Sequence, residues 1–206
     1  MLRRIVADPS FWILLLINLY CIYYYEQHPD GFGTIVWLYW GQSVLIGLFN
    51  FLDMLTIKDI FPGSMSVNDQ PIQNTSKAKG CSAFFFLVHY GIFHFVYMIF
   101  LLVQVKGLGK IDFRFILLGL AAFSIDLILT FMRNKRQQQF EAVNIGKMFF
   151  LPYLRVIPMH IMILGPAFLH WEASTIFLVL KTCADLITYF IVSGSSVASP
   201  LERGPG

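Results

Sequence analysis

Ionisable and amide side chains stand inside otherwise apolar stretches of this chain: Gln42, Asn50 and Asp53; His89 and His94; Ser124 and Asp126; Arg155 and His160; Lys181 and Asp185. At membrane depth each such group costs about 3 kcal/mol, so it turns toward a protein interior or a wet cavity and marks a ligand or ion site. Histidines exchange protons near neutral pH or coordinate metal. Arg155 and Lys181 would hold an anionic group or balance a carboxylate. Lys181 and Asp185, four apart on one helical face, can pair directly.

His89, His160 and Asp185 could supply the three N/O ligands of a catalytic divalent metal such as zinc, whose bound water would serve a metal-dependent intramembrane hydrolase. His89 and His94 do not form such a pair by themselves, because a spacing of five turns them about 140° apart. A bis-histidine haem is disfavoured because nothing pairs the histidines at matched depth on suitable faces. Ser43, Ser124 and Ser195 lack both a Gly-x-Ser-x-Gly turn and an assigned base, so a serine hydrolase has weak support. The plainer alternative is a structural accessory subunit whose polar groups lock helices together.

The elements that carry these groups follow from composition. Of 206 residues, 57% are hydrophobic and 13% charged, about half the charged fraction of a soluble domain. A water-soluble globule is thereby excluded. Three cysteines, Cys21, Cys81 and Cys183, are too few and odd in number for a disulfide framework. A bilayer span needs about 20 apolar residues, and that ruler predicts six: 9–26, 33–55, 81–105, 113–132, 146–170 and 172–193. The fold class expected is an all-α polytopic helix bundle forming a single transmembrane domain.

Lys and Arg set its orientation. Arg3, Arg4, Lys58, Lys77, Lys79, Arg133, Lys135, Arg136, Lys147 and Arg203 fall on one side, against Lys106, Lys110 and Arg114 on the other. Both termini and the 56–80 loop are therefore expected in the cytoplasm. The net charge of +3 reads as this topology signal, and no nucleic-acid partner is expected. Asn74-Thr75-Ser76 matches a glycosylation acceptor but lies on the wrong side for it.

At about 1.5 Å of rise per residue, His89, Asp126, Arg155 and Asp185 come out roughly 9 to 14 Å from the cytoplasmic end, with Gln42, His94, His160 and Lys181 roughly 18 to 21 Å in. Every span after the first contributes a polar group. Gln42, Asn50 and Asp53 fall within about 80° on the second helix. Pro152, Pro158 and Pro166 interrupt the fifth, and Pro158 frees the carbonyl of Leu154 beside Arg155. Such backbone is tolerated at depth where protein or a cavity satisfies it. His28 and His170 are read as interfacial, Trp37, Trp40 and Trp171 as the aromatic belt, and the Phe runs at 84–86 and 149–150 as lipid-facing or packing surface.

The segments YWGQSVLIGLFN (Tyr39, Trp40, Gly47, Asn50), FFLVHYGIFHF (His89, Tyr90, Gly91), PYLRVIPMH (Pro152, Tyr153, Arg155, Val156, His160) and LKTCAD (Lys181, Thr182, Asp185) give the chain its resemblance to known sequences. It resembles a prokaryotic multi-pass membrane family classed as a domain of unknown function. Members commonly carry an acidic residue where Gln42 stands and a Ser-His pair where Ser124 and Ile125 stand. The resemblance therefore implies a retained core of His89, Arg155, His160 and Asp185, and no established activity.

The resulting expectation is an integral protein of a prokaryotic plasma (inner) membrane. It binds or moves a proton, metal ion or small polar solute through His89, Arg155, His160, Lys181 and Asp185, with Asp126, Gln42 and Asn50 nearby. Its partners are the lipid bilayer and a second copy or another membrane subunit.

Overall fold

The structure, a computed structural model, describes residues 9–61, 63–67, 70–71, 73–103, 109–139, 142–154, 156–157, 178, 182–183, 185–187 and 189. Helix α1 (Pro9–Gln27) leads through a 3-10 turn (Pro29–Gly31) into α2 (Phe32–Leu55). Two short strands, β1 (Ser66–Val67) and β2 (Gln70–Pro71), precede α3 (Ser76–Val103), α4 (Phe113–Gln137) and α5 (Ile145–Phe150). The strands pair antiparallel, Ser66 opposite Pro71.

Capping chemistry explains where the observed helices extend beyond the apolar runs. Helix α3 begins at Ser76 rather than 81, because Thr75 Oγ1 accepts the backbone N–H of Ala78 at 3.2 Å and serves as an N-cap. Helix α4 starts where Asp112 accepts from the N–H groups of Arg114 and Phe115. It continues past 132 to Gln137 with Lys135 and Arg136 in its last turn, the end at which cations are favourable. Helix α5 stops at Phe150, and Leu151 and Pro152 form a turn, so the fifth run is interrupted at its first proline. Residues 158–170 lie outside the described residues, and of 172–193 only a few helical positions are described.

Three segments, Pro29–Leu55, Ser76–Val103 and Phe113–Arg136, are long and apolar enough to cross a membrane. This is a helical membrane protein. The segment containing α2 is the innermost, with 39% of its apolar window buried against 28% for α3 and 17% for α4. The outer face of α4, including Leu117, Leu118 and Ile128, is exposed and suits acyl chains.

Contacts fix the directions. Helices α2 and α4 run parallel, since a Cβ on Gly119 would meet Leu38 and one on Gly41 would meet Leu120, while Phe49 packs on Phe131 further along. Helix α3 runs against both: Trp40 meets the carbonyl of His94, and Gly47 lies against the ring of Tyr90. Two apolar clusters flank α2. Val36, Tyr39 and Met54 join Phe86, Tyr90 and Phe149 in one, and Ile35 and Leu38 join Cys21, Phe115 and Leu178 in the other. In lipid such helices associate through close packing and interhelical hydrogen bonds rather than water exclusion.

At the end opposite the α1–α2 turn, the segment after α2 is tied down. Ile60 forms a parallel bridge with Val143, with Phe61 N donating to Val143 O and Val143 N to Asp59 O, both at 2.9 Å. Asn74 Nδ2 donates to Asp59 Oδ1 at 2.9 Å, and its Oδ1 accepts from Ile60 N. Lys79 is buried and donates to the carbonyls of Ile57 and Lys58.

Candidate functional site: polar layers on either side of helix α2

The interface of α2 with α3 holds a string of hydrogen bonds. His94 Nδ1 lies 2.9 Å from the carbonyl of Tyr90, which can only accept, so Nδ1 carries the proton and Nε2 of the neutral ring accepts. Ser43 Oγ stands 2.8 Å from that Nε2 and donates to it. Tyr90 OH in turn donates toward Ser43 Oγ at 2.8 Å and Ser43 O at 3.1 Å. Trp40 Nε1 donates to His94 O at 3.0 Å, so this indole ties α2 to α3. Ser43 therefore has a base within reach, a pairing that spacing could not reveal because the two residues come from different helices. The string is closed, with Ser43 1% and His94 4% exposed.

The other side of α2 differs. Asp185, 1% exposed, accepts from Asn18 Nδ2 at 3.3 Å, and Asn18 also donates to Leu14 O. The first helix thus contributes a polar group as well, in addition to the later spans expected to. Tyr189 packs on Phe11 and Leu178 shares a cluster with Cys21, so the described positions from Leu178 to Tyr189 are ordered against α1 and parallel to α2. Leu178 and Ile35 lie in that one cluster. Seven residues further, about 10 Å along, come Asp185 and Gln42. Gln42 is 2% exposed, and its Nε2 has no acceptor among the described residues. Asp126 is buried and lies two turns past Gly119, which faces Leu38; that sets it within about one turn of Gln42. Asn18 and Asp185 are in contact, and helix register sets the buried Gln42 and Asp126 at about the same depth on neighbouring segments.

The remaining expected residues separate. His89 is exposed and its Nδ1 meets Tyr153 OH at 2.6 Å, with the ring between Phe85 and Phe93. This places it beside the first cluster, whereas Asp185 belongs to the second interface. Asn50 donates to Met148 O at 3.0 Å. Asp53 instead pairs with Lys135 at 2.5 Å and accepts from Asn134 and Gln138, so the expected stripe on α2 divides among different partners. Arg155, His160 and Lys181 lie outside the described residues. Among the described residues no group of three or more His, Cys, Asp or Glu could hold a metal ion, and the expected zinc set depends on His160.

A family described as a family of unknown function, DUF6498, matches residues 1–198. The chain belongs to this family. No curated protein and no solved structure matches it. In this DUF6498 member, the residue missed in the sequence is Asn18, with Ser43 and His94, and likewise His89 and Tyr153, recognised singly but not as pairs. Asn18 sits in a run of Leu, Ile and Tyr where one amide is a faint signal. Its burial against Asp185 appears only when segments far apart in sequence pack together.

Proposed function

We propose that this membrane protein binds and moves a proton through the layer of Asn18, Gln42, Asp126 and Asp185. The observation that carries the reading is the buried Gln42 amide, a donor without an acceptor among the described residues, at the level of a buried carboxylate held by Asn18. A buried unmet donor costs about 1 to 3 kcal/mol, which release of a proton from a neighbouring carboxyl would relieve by presenting an acceptor oxygen. Of a proton, a metal ion and a small polar solute, the proton fits best. Two carboxylates flanked by neutral amides can receive it without further ligands, and intramembrane relays are built from such groups.

Arg155 and Lys181 remain part of the proposal as the cations that balance the carboxylates, and His160 as a group that exchanges protons. The wider setting proposed is the inner membrane of a prokaryote, with six spans, both termini cytoplasmic, and a second copy or another membrane subunit as partner. The test is proton entry into liposomes carrying the full chain, driven by a potassium diffusion potential and read by an internal pH dye. Wild type is expected to acidify the lumen faster than protein-free vesicles, and Asp185→Asn to abolish the excess. Equal rates in wild-type and protein-free vesicles would overturn the reading.

A further inference from the structure

A cavity of about 450 Å³ opens between the last turns of α1 and the first turns of α4. Its walls are graded along the two helices. Gln27, His28, Asp112 and Arg114 stand at the end of the two helices, while Tyr20 and Leu118 stand deeper. Leu118 lies about 9 Å below Asp112 along α4 and is 72% exposed, so the deep side opens toward acyl chains. Tyr20 and Tyr24 both pack on Phe115, which gives the middle a fixed aromatic wall.

The polar end carries one charge of each sign two residues apart. Arg114 has no ion pair or side-chain hydrogen bond among the described residues; only its backbone N–H is engaged, by Asp112. The neighbouring cation Lys110 is already paired with Asp30 at 3.2 Å. Asp112 uses Oδ1 for the cap, and its charge faces the same opening.

We propose that this cavity binds a zwitterionic phospholipid with a primary ammonium headgroup. Arg114 takes the phosphate, for which a guanidinium is suited by its forked donors. Asp112 takes the ammonium, whose charge also favours tyrosine faces. An acyl chain lies along Tyr20 and Leu118. A phosphate alone would be repelled by Asp112, and a hydrocarbon alone would leave the charged end unanswered.

Native mass spectrometry of the full chain in detergent, titrated with phosphatidylethanolamine and separately with phosphatidylglycerol, tests this. The wild type is expected to retain phosphatidylethanolamine preferentially, and Arg114→Gln to weaken that binding about tenfold, as for the loss of a charge-assisted hydrogen bond. Asp112→Asn preserves the cap, because Asn is an equally good N-cap residue. It is expected to erase the preference between the two lipids. Unchanged binding in Arg114→Gln, or an unchanged preference in Asp112→Asn, would overturn the proposal. Glycerophosphoethanolamine, which lacks chains, is expected to compete poorly; competition equal to the lipid would overturn the chain groove.

Discussion

Gln42 and Ser43 are neighbours in sequence with opposite roles, because 100° of helix rotation sends them to different sides of α2. Ser43 is locked between His94 and Tyr90. Ser43→Ala leaves a histidine nitrogen and a tyrosine hydroxyl without their partner in a dry interface, and is expected to destabilise the fold by about 1 to 3 kcal/mol, measured by denaturation in mixed micelles. Gln42 should behave in the reverse sense. Its Nε2 answers to no acceptor among the described residues, so Gln42→Leu is expected to keep or raise stability while abolishing proton entry into liposomes. A stability loss as large as that of Ser43→Ala would show that the amide is structurally satisfied and contradict its assignment to the site.

Helix α2 is the element on which both interfaces depend, and its glycines let the neighbouring helices come close. A Cβ at Gly47 would fall 2.5 Å from the rigid ring of Tyr90, whereas one at Gly119 of α4 would meet the flexible Leu38 of α2 at 2.8 Å. Gly47→Ala is therefore expected to cost about 1 to 3 kcal/mol and to disturb the Ser43 string, since the same tyrosine serves both. Gly119→Ala is expected to cost distinctly less, because a leucine can change rotamer. Thermal unfolding of the two variants side by side checks the order; equal losses would contradict close packing of α2 on Tyr90.

For the whole molecule, the apolar runs made the helices legible: α2 and α4 begin within a residue of their expected starts, and at α4 the Asp112 cap falls where the apolar run begins. The boundaries that escaped, at Ser76 and Gln137, carry polar residues that a hydropathy ruler discards but that cap helices and favour their ends. The candidate site was legible in part. Gln42, Asp126 and Asp185 announce themselves as polar groups in apolar runs, but which of them share a layer depends on helix direction and phase across four segments. His89 carries an equally strong signal, yet it meets Tyr153 on the far side of α2. The central claim, that the interior layer exchanges a proton at Asp185, is tested most directly by infrared difference spectroscopy of the chain in liposomes after a pH step. The account predicts a carboxylic-acid carbonyl band in wild type that disappears in Asp185→Asn, and identical spectra from the two proteins in that region would contradict it.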